Sequence, residues 1–116
     1  MNKSIPIILV TLALVGCASD PAPTEQLRLT QQALVQARAV GASDQTPELV
    51  MAELKVALAV AAMRDEDYRA ARLQAEQAEL DARLAEARLL NEKSQLEVAE
   101  LNRRIARLRQ QLGDLR

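Results

Sequence analysis

From Tyr68 to Leu112 the chain runs 45 residues without a glycine or a proline. Nothing in that stretch breaks an α-helix, and at 1.5 Å per residue a helix of this size is a rod roughly 70 Å long. A rod cannot bury its own apolar side, and only about 40 residues between Pro23 and Asp65 are available to cover it. Alanine and leucine make up about a third of the chain, while glycine (3) and proline (4) are scarce and aromatics are 1%. That composition belongs to long helices rather than to packed sheets or aromatic-lined pockets. The expected fold is all-α: a short helical hairpin or three-helix arrangement continuing into a long coiled-coil helix. With no histidine and one cysteine, the usual zinc sets, Cys-His pairs and Ser-His-Asp triads cannot be assembled. A net charge of −1 gives no pull toward nucleic acid, and no cofactor is expected.

The long segment carries a heptad repeat without a skip. One register places Ala70, Gln77, Leu84, Asn91, Val98, Ile105 and Leu112 at a, and Leu73, Leu80, Ala87, Ser94, Leu101, Leu108 and Leu115 at d. Such a repeat implies a left-handed coiled coil, and β-branched Val98 and Ile105 at a with Leu101 and Leu108 at d favour two strands. Asn91 is the kind of polar a residue that fixes register at a cost in stability. A parallel in-register pair sets Arg83 against Arg88 and Arg104 against Arg109. An antiparallel pair centred near Leu90 instead sets Glu76 against Arg104 and Arg83 against Glu97. Exposed pairs are each worth a fraction of a kcal/mol, so both orientations stay open. Packing of the seam on the preceding helices of the same chain would occupy its first half. The second half then needs a partner or a bend, and self-association through the long helix is the expectation.

Two shorter helices precede the rod. Thr24 is placed as the N-cap of the first, with Leu27, Thr30, Leu34, Ala37 and Val40 along one face and Gly41 as its left-handed stop. Thr46, Pro47 and Glu48 restart a helix running to about Arg64. This second helix is apolar nearly all round, which predicts burial on more than one side, with Met51 and Met63 as core filler. It is too short, and charged at both ends, for a membrane span. Asp65, Glu66 and Asp67 are N-cap candidates for the rod. As adjacent carboxylates they could serve acid–base chemistry only inside a pocket that shifts their pKa values, and a thin aliphatic bundle offers none.

The first residues read as an address. Lys3 and the apolar run Ile5 to Val15 fit a secretory signal, being about half the roughly 20 residues of a span. Leu14, Val15, Gly16 and Cys17 then resemble a bacterial lipobox. That resemblance implies cleavage between Gly16 and Cys17, lipidation of Cys17 and a membrane-lipid partner held through acyl chains. A single chain anchors marginally, and several anchor firmly. Ala18 after the cysteine resembles the pattern of outer-membrane retention, facing the periplasm. The expected organisation is a removed signal at 1–16, a lipidated tether at 17–23, a helical hairpin at 24–64 and the long helix at 65–116.

Gly41-Ala42, Pro47-Glu48-Leu49, Asp67-Tyr68, Ala70-Ala71, Ala75-Glu76-Gln77-Ala78, Asp81-Ala82 and Leu84-Ala85-Glu86-Ala87 together resemble the Ala-rich bacterial lipoproteins of the domain of unknown function 4398 family. The likeness runs from about Thr24 to Ala87 and implies a helical periplasmic lipoprotein with no assigned activity. Asp67 to Ala71 is also similar to the inter-helix turn of a tetratricopeptide repeat, with Tyr68 as a packing residue. Arg103, Arg104, Arg107, Arg109 and Arg116 form a basic cluster that balances the helix dipole or contacts an anionic polymer. These readings point to a non-enzymatic structural or scaffolding rod in the cell envelope. The other reading is an adaptor or binding module that docks on an envelope protein complex or an anionic wall polymer.

Overall fold

A computed structural model describes residues 20–115 of the chain. Gly16 and Cys17, with the whole signal and lipobox, lie outside the described residues. The architecture is all-α, with three helices in the order α1 (Thr24–Ala39), α2 (Pro47–Arg64) and α3 (Tyr68–Asp114). α3 runs unbroken for 47 residues. α1 runs alongside α3 in the same direction: Arg72 donates to the Pro21 carbonyl near one end and Lys93 Nζ to the Val40 carbonyl, at 2.6 Å, near the other. α2 returns antiparallel, with Lys55 on Asp81 and Glu48 on Arg88.

The interior is built from small residues. Among the described residues, ten of the twelve buried hydrophobics are alanines, and Leu34 and Leu49 are the others. On α3 the buried positions are Ala71, Ala75, Ala78, Ala82 and Ala85, alternating four- and three-residue steps, all fully inaccessible. A stripe of methyl groups lets α1 and α2 come close to the α3 backbone. Thr30 marks that closeness: its fully buried hydroxyl lies 2.9 Å from the Ala75 carbonyl across the interface and 2.8 Å from Gln26 O in its own helix.

Both turns are set by backbone chemistry. After α1, Ala42 N–H bonds Ala37 O and Gly41 N–H bonds Arg38 O, each at 3.0 Å, with Gly41 at φ +110°. This is the paired bonding of a Schellman stop, and buried Ala42 joins Ala37 in the core cluster. After α2 the same pattern recurs, Asp67 N–H on Ala62 O and Glu66 N–H on Met63 O, but the left-handed residue is Glu66, at φ +60°. Asp67 then caps α3, its carboxylate accepting from Ala70 N–H at 3.0 Å. One residue thus closes one helix and opens the next, leaving no slack between them.

Three expectations are corrected. Pro23, not Thr24, holds the N-cap position of α1, and Thr24 is already helical. α2 is buried on one side only: Leu49, Ala52 and Ala59 face inward, while Val50, Met51, Leu54 and Leu58 remain 44–53% exposed. A bundle of three helices with a thin alanine interior has no second layer to cover them. The face of α3 packed against α1 and α2 is the alanine stripe, not the leucine-bearing heptad seam.

Two outcomes test this account. Ala82→Leu forces a large side chain into a methyl-sized space and should destabilise the fold by about 1–3 kcal/mol, whereas Ala106→Leu, exposed and off the heptad seam, should be nearly neutral; denaturant unfolding compares them. Glu66→Gly relieves a left-handed conformation that L side chains resist and should raise stability by about 0.5–1 kcal/mol in the same assay.

Candidate functional site

α3 carries two apolar stripes on nearly opposite sides. Leu73, Leu80 and Leu84 each follow a buried alanine (Ala71, Ala78, Ala82) by two residues, which places them about 200° around the helix from the packed face. Their exposures are 52%, 66% and 49%. The same line continues along the rod through Val98, Leu101, Ile105, Leu108 and Leu112, all 45–66% exposed, with Asn91 exposed between the two halves.

Beyond Lys93 no residue of α3 is buried, so the 21 residues from Ser94 to Asp114 project past the hairpin as a bare helix. Leu96 on another side of this rod is 71% exposed. Among the described residues, then, α1 and α2 cover the first half of α3 along one face, and nothing covers the leucine seam. Exposed apolar area that is continuous over such a length is a surface for contact with another molecule.

The seam gains a second wall from α2. Glu48 and Lys55 reach α3 at Arg88 and Asp81, which identifies the flank of α2 lying over the seam side of α3. Met51 and Leu58 stand three residues after Glu48 and Lys55 and so share that flank. On α3, Leu84 stands between Asp81 and Arg88 on the facing side. The result is an open apolar trough along α2 and α3, with ion pairs across its floor. Lys55 and Asp81 are only 22% and 25% exposed at 2.6 Å.

The remaining charges are local. Glu100 gathers Arg103, Arg104 and Arg107 within 3.9 Å, so most of the basic cluster is engaged along its own helix. Of the three consecutive acids, Asp65 ends α2, Glu66 takes the left-handed turn position and Asp67 caps α3. Their work is the turn itself. Tyr68, half-buried, is the first residue of α3. Among the described residues no cluster of His, Cys, Asp or Glu could hold a metal ion, and no helix is long and apolar enough to cross a membrane.

Glu79 is the charged group most tied to the fold. Gln26 Nε2 of α1 donates to its carboxylate at 2.6 Å and Arg83 Nε at 2.9 Å. The Gln26 hydrogen bond, then Arg83, hold its carboxyl below the ordinary value of 4.5. A group with a lowered folded pKa binds fewer protons folded than unfolded, so its contribution is complete above pH 4.5 and lost as pH falls through the folded value. Acidification below about pH 4.5 should therefore lower the melting temperature, and Glu79→Gln should flatten that part of the profile.

The family model described as Domain of unknown function (DUF4398) matches residues 25–101. A crystal structure of a DUF4398 family protein from Pseudomonas aeruginosa PAO1 is 56% identical in sequence, with a TM-score of 0.78, and the match covers 83% of this chain and 100% of that one. No curated protein matches the chain. The matched region takes in the three-helix hairpin and the first turns of the free rod, with the trough between α2 and α3 inside it.

Proposed function

The chain belongs to the DUF4398 family, and from that premise we propose that it is a non-enzymatic lipoprotein, anchored in the outer membrane through acylated Cys17 and acting in the periplasm as a structural or scaffolding rod. The observation that carries this reading is the bare half of α3. A helix that projects 21 residues beyond its own hairpin, with a continuous apolar line on it, is built for contact and offers no pocket for chemistry. The lipobox supports the anchor. α1 follows the tether directly and runs in the same direction as α3, so the tip of the rod is carried away from the tethered end.

The apolar flank of α2, exposed beside the seam, favours a second reading as an adaptor whose trough receives an envelope protein. Self-association separates the two. Leu101→Asp combined with Leu108→Asp should convert a self-associated rod to monomer in light scattering of the detergent-extracted full chain, with helicity retained. An already monomeric parent chain favours the adaptor.

The anchor is tested in cells. The parent chain should incorporate labelled palmitate and sediment with outer-membrane density, and Cys17→Ser should abolish the label and release the chain from that fraction. An unlabelled, soluble parent chain would sink the lipoprotein reading.

A further inference from the structure

The hairpin and the free rod are matched in length. The trough runs along α2, 18 residues or about 27 Å, and the rod from Ser94 to Asp114 is 21 residues or about 31 Å. Met51 and Leu58 on α2 face solvent on the flank beside Leu73, Leu80 and Leu84 on α3, every one between 46% and 66% exposed. We propose that the trough is the seat of the free rod of a second copy of this chain, bound antiparallel and reciprocally, so that each rod completes the partner's three helices into a four-helix bundle. This rests on the self-associating reading of the rod and adds to it the orientation, the register and the participation of α2.

The register follows from the seam. Antiparallel helices pair a with d, and a two-fold axis between residues 92 and 93 brings four apolar layers together, with Leu108 lying over Gln77 of the other copy. Leu73 then meets Leu112 of the other copy, Leu80 meets Ile105, Leu84 meets Leu101 and Ala87 meets Val98. Asn91 and Ser94, the polar pair of the seam, meet each other at the centre, where a shift by one heptad would instead set Ser94 against Leu84. In this register residues 94–114 of each copy lie over residues 71–91 of the other, the part of α3 that α1 and α2 support. In a parallel pair rod would meet rod and hairpin meet hairpin, so the trough would not receive a rod.

The amount of surface suits a stable pair. Ten large, half-exposed apolar side chains per copy are covered; at about 80 Å² each the total over both copies is about 1,600 Å², within the roughly 1,200–2,000 Å² of stable associations. Arg83 and Arg104, brought near each other on the flank, each already hold an in-chain carboxylate, Glu79 and Glu100, so like charges do not oppose the contact. The tethered ends fall at opposite ends of the pair, so two chains anchored in one membrane lie along it.

The test is disulfide trapping in the full-length chain, extracted in mild detergent, with the parent carrying Cys17 alone as background. Leu84→Cys and Leu101→Cys stand at exposed positions that the hairpin does not need. A mixture of the two should crosslink as dimer at least tenfold over either alone, and Leu58→Cys mixed with Leu108→Cys should do the same across the trough. Leu101→Cys crosslinking to itself as strongly as in the mixture means a parallel pair and overturns the proposal. A dimer by light scattering with neither mixed crosslink also overturns it, while leaving self-association standing. A monomer without crosslinks overturns both.

Discussion

The close approach of two helices to an alanine stripe is the contact on which the rest of the molecule depends. Ala71, Ala75, Ala78, Ala82 and Ala85 contribute little apolar area apiece, so the interior derives its strength from backbone proximity and dispersion rather than from large buried side chains. Thr30, seated against the Ala75 carbonyl, is compatible only with that proximity. The same choice has a cost. With the small residues inside, most leucines of α3, its valine and its isoleucine are left outside, and among the described residues nothing covers this strongest hydrophobic line.

The turns serve this contact. A Schellman stop at Gly41 and another at Glu66 fold the chain back twice in few residues, and Asp67 joins the second stop to the cap of α3. Short connections hold α1 and α2 in step with the alanine stripe. The polar contacts then lie at the edges of the interface, the ion pairs of Lys55 with Asp81 and Glu48 with Arg88 on one flank, the hydrogen bond from Gln26 to Glu79 on the other. Partly screened pairs of this kind add modestly to stability, but they fix the rotation of each helix about its axis. That rotation decides which side chains line the trough.

Function follows from what the hairpin leaves bare. α1 and α2 are long enough to support α3 only to about Lys93, and the helix continues because nothing in its sequence stops it. The supported half offers a trough, and the unsupported half offers a rod of nearly the same length. The three consecutive acids are spent on the turn, and the basic cluster is largely gathered around Glu100.

Much of this was legible in the residues. The breaker-free run from Tyr68, the Gly41 stop, Thr46-Pro47-Glu48 and the acids before Tyr68 give three helices with nearly correct ends, because caps and breakers act within a few residues and need no tertiary context. The heptad line from Leu73 to Leu112 was equally visible. Its partner was not, for α3 holds two lines of 4-3 spacing and periodicity alone ranks leucine above alanine as the buried one. The tertiary structure decided for the alanines, since only methyl groups admit two helices that close. The same decision turned Met51, Leu54 and Leu58 of α2 outward, against the all-round burial its composition suggested. Local sequence determined where the helices are and which residues are apolar; packing determined which apolar face was kept inside and which was left exposed.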